Sequence, residues 1–198
     1  VVCVTMAFDS TPWFGSHASD PAKRHDAHLT EMVLPLVERR YHVATEPEGR
    51  WLIGFSKSAW GALSLLARKP DRFGYAASWD APLLLGFRDL WGLSSHFGTE
   101  AQWQRHDPLS VWSERDGSDP TFRNRPRFAL LGSRLFGPMP GKEFADTPHT
   151  RTAHERLKEM GIAHRYDNTL DAKHNWNANW LVPAVQALAE MARPDVEK

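Results

Sequence analysis

Short apolar runs alternate along this chain with longer stretches in which apolar residues return every three or four positions. The first run, VVCVTMAF, predicts a buried strand over Val1 to Ala7. After the polar loop DSTPWFGSHASDP, the spacing predicts a helix from about Ala22 to Tyr41 through HLTEMVLPLVERRY. A strand RWLIGF (Arg50 to Phe55) follows, then a helix SAWGALSLLARK (Ser58 to Lys69), then a strand GYAASW ending at Trp79. From Asp80 to Pro126 the periodicity loosens into tryptophan- and glycine-rich loops with short helical pieces such as TEAQWQRHDPLSVW. Regularity returns with a strand RFALLG, a helix HTRTAHERLKEMG stopped by Gly161, a strand AHRYDNTL and a closing helix WLVPAVQALAEMAR.

Strands that alternate with helices imply parallel strands joined by helical crossovers, hence an α/β fold with helices on both faces of a mostly parallel sheet. Ligands in such sheets sit outside the carboxyl ends of the strands. Ser56, Asp80, the loop after Gly132 and the loop LDAKHNWN all fall at that edge. The apolar character of VVCVTMAF leads to the further expectation that the sheet continues in strands ahead of Val1. Without them this edge would lie open and favour aggregation.

Within the second strand-helix unit, no loop separates Phe55 from the helix, so Ser56 occupies a tight turn. Gly54-Phe55-Ser56-Lys57-Ser58 follows the G-x-S-x-G elbow, in which small residues let the backbone fold back while the serine hydroxyl projects from the sheet, except that Ser58 replaces the second glycine. The other reading of Ser56 is a helix N-cap, a position that serine favours.

Composition narrows the chemistry. The 198 residues suit one domain, and 24 basic against 24 acidic residues leave no net field to recruit nucleic acid or anionic lipid. There is no apolar run long enough to span a bilayer. The single cysteine, Cys3, excludes an internal disulfide but does not choose between a reducing compartment and export. His25 and His28 lie three apart on a helix, and His149 and His154 flank another. With no nearby cysteine and no H-E-x-x-H pattern, solvated helix faces explain them better than a metal site.

Acyl transfer by serine requires a base for the hydroxyl proton and a carboxylate that orients the base. In elbow hydrolases the chain order is serine, then acid, then histidine. Among ten histidines, His174 in DAKHNWNANW has the position for the base, after the last strand and before the last helix.

Together, VLPLVERRY, GFSKSAWGALSLLARKPDRFGYAASW, FGTEAQWQRHDPLSVW, LKEMGIAHRY and HNWNANW resemble the esterase branch of the α/β-hydrolases, which includes esterase D, feruloyl esterases and bacterial mycolyltransferases. The likeness runs from about Ala22 to the end of the chain. It implies one α/β-hydrolase domain over 1–198, with a tryptophan-rich loop or cap segment at about 80–126. It also implies a cofactor-free serine hydrolase of carboxylic esters, with Ser56 as nucleophile, His174 as base and the Lys57 backbone amide as an oxyanion donor. Two departures stand out. The family's opening strands and glycine-bearing loop, which supply a second oxyanion donor, have no counterpart. Its usual Gly-x-x-Asp stretch reads Gly132-Ser133-Arg134-Leu135.

Two aspartates compete for the acid. Asp80 directly follows GYAASW at the carboxyl edge, where it could also be a turn-forming aspartate before Pro82, and is favoured; Asp146 follows RFALLG, but DTPHT makes the stronger case for a helix N-cap there. A catalytically silent or truncated α/β-hydrolase relative with a binding role is the alternative function. The expected partner is a small-molecule ester, with the Trp79 to Trp112 segment covering the site and Trp176 and Trp180 as walls.

Overall fold

The computed structural model describes residues 1–8, 13–115, 120–133, 149–170 and 174–193. Four strands form one sheet in the order of the chain: β1 (Trp51–Phe55), β2 (Tyr75–Trp79), β3 (Phe128–Ser133) and β4 (Arg165–Leu170). All three pairings are parallel, with Gly54 opposite Ser78 and Phe55 opposite Trp79 at the carboxyl end. Parallel neighbours need crossovers, and the helices supply them.

A helical stretch precedes the sheet: a turn α1 (His25–Ala27), a π-helical segment His28–Val33 and α2 (Leu34–Arg40). The expected single helix is thus widened in the middle, where Leu34 N–H reaches back five residues to the Leu29 carbonyl. Pro35 explains this: its ring blocks an ordinary turn and it has no amide to donate, so the wide turn absorbs the interruption. After β1 come α3 (Lys57–Arg68), then α4 (Leu93–Phe97), α5 (Glu100–Gln104) and α6 (Pro108–Ser113), then α7 (His149–Glu159) and α8 (Leu181–Met191).

Successive strand residues face opposite sides of a sheet, which is why both faces of β2 and β3 are apolar. Ala76, Phe128 and Leu130 join a core with α3, α6 and α7, in which the Trp112 ring stacks on Phe128 with centroids 4.4 Å apart. Tyr75, Ala77, Trp79, Ala129 and Leu131 form a second core with Trp180, Ala184, Leu188 and Met191 of the α8 region. Every residue of α3 from Ala59 to Ala67 is buried.

The expected strand at Val1 to Ala7 is absent: residues 1–8 carry no strand, and Val1, Val2 and Val4 are exposed. Hydrophobic contact holds only the end of this run. Met6 is half-buried against the first core, and Phe8 packs edge-on to Phe14, His25 and His28. A strand needs a neighbouring ladder of amides and carbonyls. Among the described residues, β1 pairs with β2 alone, leaving Trp51 and Ile53 exposed.

Segment 13–17 is clamped onto α3. Arg68 donates from Nη1 to Asp26 Oδ2 (2.9 Å), from Nη2 to the Phe14 carbonyl (3.1 Å) and from Nε to Ser64 Oγ (3.2 Å), while Ser16 Oγ donates to Asp26 Oδ1 (2.9 Å). This ion pair is largely buried, and its bonds place Trp13 beside the start of α3.

Candidate active site

The site begins with a backbone that turns sharply between β1 and α3. Ser56 has φ 53° and ψ −120°, a left-handed conformation that L-residues avoid without tertiary support. Support comes from both flanks: the Ser56 amide donates to the Trp79 carbonyl (2.8 Å), and the Trp60 amide donates to the Ser56 carbonyl (3.1 Å). Gly54 is required by close approach, since a Cβ there would lie 2.2 Å from the Ser58 carbonyl oxygen. At Ser58, where the motif has its second glycine, the hydroxyl donates to the Phe55 carbonyl (2.8 Å) and accepts from the Phe55 amide (3.0 Å). Ser56 stands at the cap position of α3, yet its side chain makes no capping bond.

That hydroxyl instead meets an imidazole. Ser56 Oγ lies 3.1 Å from His174 Nε2, and His174 Nδ1 lies 3.2 Å from Asp80 Oδ2. A carboxylate only accepts hydrogen bonds, so Nδ1 carries the proton toward Asp80 and Nε2 is left to accept from Ser56. Asp80 also sits in a left-handed conformation (φ 49°), with its amide donating to the Leu131 carbonyl (2.9 Å) beyond the end of β2. Its side chain is 4% exposed against 25% for His174, so the carboxylate is buried while the ring stays partly open to solvent. Phe55 packs against the His174 ring at 4.7 Å and in turn contacts Trp176 and Trp180.

Ser56 opens into a cavity of about 600 Å³ whose walls include Trp13, His17, Lys57, Trp91 and His96. Lys57 begins α3, which puts its amide at the N-terminal end of the helix beside Ser56. Its ammonium lies 4.3 Å from the centroid of the Trp13 ring and donates to the Trp91 carbonyl (3.1 Å). Burial pushes this ammonium down to about 8. Burial also pushes His96, stacked on His25, down to about 4.

Ser56, Asp80 and His174 are therefore brought together from three separate segments. Asp146, the competing acid, lies outside the described residues, as does the loop at 134–148. Trp103 and Trp112 of the 80–126 segment are core residues, and Trp91, Gly92, Ser95 and His96 supply its contribution to the cavity wall. Trp176 and Trp180 back His174 through Phe55. Trp13 and His17 belong to a loop that carries no periodicity and His96 to the five-residue α4, so no motif marks them; the one available signal, the clustering of aromatic and histidine residues in PWFGSH, covers Trp13 and His17. Among the described residues, no group of three histidine, cysteine or acidic side chains is gathered for a metal. His149 Nδ1 accepts from the Leu84 amide (3.0 Å), and His154 Nδ1 contacts His164 Nε2 (2.8 Å). No helix among the described residues is long and apolar enough to cross a membrane.

Solved structures share this architecture. An S-formylglutathione hydrolase from Agrobacterium tumefaciens superposes with a TM-score of 0.68 at 16% identity, covering 91% of this chain and 63% of that one. MPT51 (FbpC1) of Mycobacterium tuberculosis gives a TM-score of 0.68 at 17% identity, covering 91% and 72%. FphF, a fluorophosphonate-binding serine hydrolase of Staphylococcus aureus, gives 0.67 at 11% identity, covering 92% and 68%. The chain spans less than two thirds of the length of the S-formylglutathione hydrolase (63%) and of a ferulic acid esterase (64%) that it matches. No curated protein matches the sequence. At these identities the structural likeness establishes the α/β-hydrolase fold. The sequence model of the family described as Putative esterase matches residues 14–191, nearly the whole chain, and the protein belongs to that family.

Proposed function

We propose that this protein hydrolyses carboxylic esters through an acyl-enzyme, with Ser56 as nucleophile, His174 as general base and Asp80 as the carboxylate that orients it. The observation that carries the reading is the continuous line of hydrogen-bonding contacts, Ser56 Oγ to His174 Nε2 at 3.1 Å and His174 Nδ1 to Asp80 Oδ2 at 3.2 Å, at the mouth of a cavity. Membership of an esterase family supports the same chemistry.

The steps follow from the groups present. Ser56 Oγ attacks the ester carbonyl carbon as its proton passes to His174 Nε2, and the imidazolium is stabilised by the Asp80 carboxylate on its other nitrogen. Negative charge gathers on the former carbonyl oxygen, where the Lys57 amide at the N-terminus of α3 donates to it. Collapse breaks the bond to the alcohol, which leaves with the proton held on Nε2. Water then enters, gives a proton to His174 and attacks the acyl carbon, and the acid is released as the proton returns to Ser56. The left-handed backbone at Ser56 serves this sequence by holding Oγ at the opening rather than over the helix end.

A fluorophosphonate probe and a chromogenic acetate ester test the reading together. The parent protein should be labelled and should turn over the ester; Ser56→Ala should do neither while keeping its circular dichroism spectrum. Labelling and hydrolysis that persist in Ser56→Ala would refute it. A correctly folded parent protein inert to both reagents would favour the silent, binding relative.

A further inference from the structure

Two histidine rings line the cavity beside Ser56: His17 and His96, with centroids 5.0 Å apart and planes at 75°. Their hydrogen bonds fix which nitrogens carry hydrogen. His96 Nε2 faces the Gly15 carbonyl (3.3 Å), which can only accept, so that nitrogen donates. His17 reaches the same tautomer from the other side of the ring. Its Nδ1 accepts from two backbone amides, Ser19 at 3.2 Å and Asp20 at 3.1 Å, and a neutral imidazole that accepts on Nδ1 carries its hydrogen on Nε2.

The backbone around His17 is anchored as well. The Ala18 amide donates to the His96 carbonyl (2.7 Å), the Ser16 amide donates to His106 Nε2 (3.4 Å), and Ser16 pairs with Arg24 in an isolated antiparallel bridge. Ring and chain are thus held before any ligand arrives, and little motion is lost when one binds. Other polar hydrogens of this wall have carbonyl partners: Trp13 Nε1 donates to Trp91, Ser95 Oγ to Gly92 and His96 Nε2 to Gly15. Among the described residues, His17 Nε2–H meets no acceptor. It is a half-buried, neutral donor in the cavity that holds the Ser56 hydroxyl.

We propose that His17 is a specificity-determining residue, its Nε2–H donating to an uncharged ether or hydroxyl oxygen that the ester carries away from the scissile carbonyl. This rests on the esterase reading and names a feature of its substrates. An oxygen in that place replaces the water that the N–H gives up. A methylene there displaces the water and offers no acceptor, so the donor is left unpaired in the complex. The recognised group needs no charge, because the donor is neutral.

The experiment compares kcat/KM within pairs that exchange one oxygen for a methylene: 4-nitrophenyl 4-methoxybutanoate against 4-nitrophenyl hexanoate, and 4-(methoxymethyl)phenyl acetate against 4-propylphenyl acetate. The first pair carries the oxygen on the acyl group and the second on the alcohol. His17→Asn keeps an acceptor for the Ser19 and Asp20 amides but ends short of the Nε2 position. In at least one pair its ether-to-methylene ratio should fall about fivefold below the parent's, the scale of one hydrogen bond. His17→Gln, whose longer amide brings an N–H toward that position, should keep a higher ratio than His17→Asn. Comparing ratios between variants cancels both a general loss of activity and the intrinsic reactivity of each ester. Ratios that stay at the parent's value in His17→Asn for both pairs would overturn the proposal while leaving ester hydrolysis standing, and so would a fall as deep in His17→Gln as in His17→Asn. If the parent cleaves no ester, the esterase reading fails, and isothermal titration calorimetry decides the donor separately. A ratio of affinities for 4-(methoxymethyl)phenol and 4-propylphenol that falls in His17→Asn would uphold it; an equal ratio in parent and variant, or no binding of either phenol, would overturn it.

Discussion

Ser58 holds Phe55 by both of its backbone polar groups, accepting from the amide at 3.0 Å and donating to the carbonyl at 2.8 Å. These bonds close the turn around Ser56 from the helix side. Replacing Ser58 by glycine, the residue that the elbow motif expects, should therefore destabilise the protein rather than improve it. Two lost hydrogen bonds and added chain freedom predict a loss of about 1 to 2 kcal/mol, measured by urea unfolding. An unchanged or raised midpoint would show that the hydroxyl is dispensable.

Asparagine at Asp80 keeps the shape of the side chain but not its charge, and its amide nitrogen would oppose the proton on His174 Nδ1. Turnover should drop by roughly 10⁴-fold, as in serine proteases treated the same way. Asp146→Asn should stay within a few-fold of the parent. Steady-state kinetics of both variants, checked for folding by circular dichroism, gives the answer; the reverse ranking would assign the acid to Asp146.

His106 is built to be neutral. Its Nδ1 donates to the Gln102 carbonyl (2.8 Å), while Nε2 accepts from the Ser16 amide (3.4 Å), a bond that protonation would abolish. Burial pushes His106 down to about 4, and His96 likewise. Because the unfolded chain takes up these protons first, near 6.5, their contribution to stability is intact above that pH and is lost as pH falls from 6.5 toward 4. Each accounts for on the order of 3 kcal/mol over that interval. Urea unfolding between pH 7.5 and 4.5 should show the decline, and His106→Gln should make it shallower. A flat profile in the parent would contradict this account.

Arg68 and Asp26 form a pair with side chains 14% and 8% exposed. Arg68→Met strands the carboxylate and the Phe14 carbonyl together, so a loss of about 3 to 5 kcal/mol is expected. Arg68→Met combined with Asp26→Leu should recover much of it, because both charges are then gone. Thermal unfolding of the single and double variants tests this; a double variant worse than the single one would show that the carboxylate is needed for Ser16 alone.

What the sequence disclosed, and what it hid, divides along physical lines. The apolar runs at Gly74 and Arg127 mark β2 and β3 because a parallel sheet buried on both faces leaves few polar positions in its central strands, whereas β4, read from RYDNTL, is a partly exposed outer strand with polar residues along it. The turn at Ser56 and the chain order toward His174 were legible because strand, turn and helix follow without a gap. Val1 to Ala7 looked the same as those strands, yet pairing depends on a neighbour that an apolar run does not encode. Trp13 and Lys57 meet through the folding of a loop, and only the bonds from Arg68 to Phe14 and Asp26 explain how that loop is held.

The imidazole of His174 is 118 residues from Ser56 along the chain and 94 from Asp80. No contiguous fragment shorter than the span between Ser56 and His174 contains all three groups, and β1, β2 and the segment before α8 must all be in place before they meet. On the proposed mechanism, reactivity at one hydroxyl would be a folding reporter: the fraction of molecules captured by an acylating probe during refolding would count those in which the two ends of the sheet's connectivity have closed on each other, and its time course would date that closure.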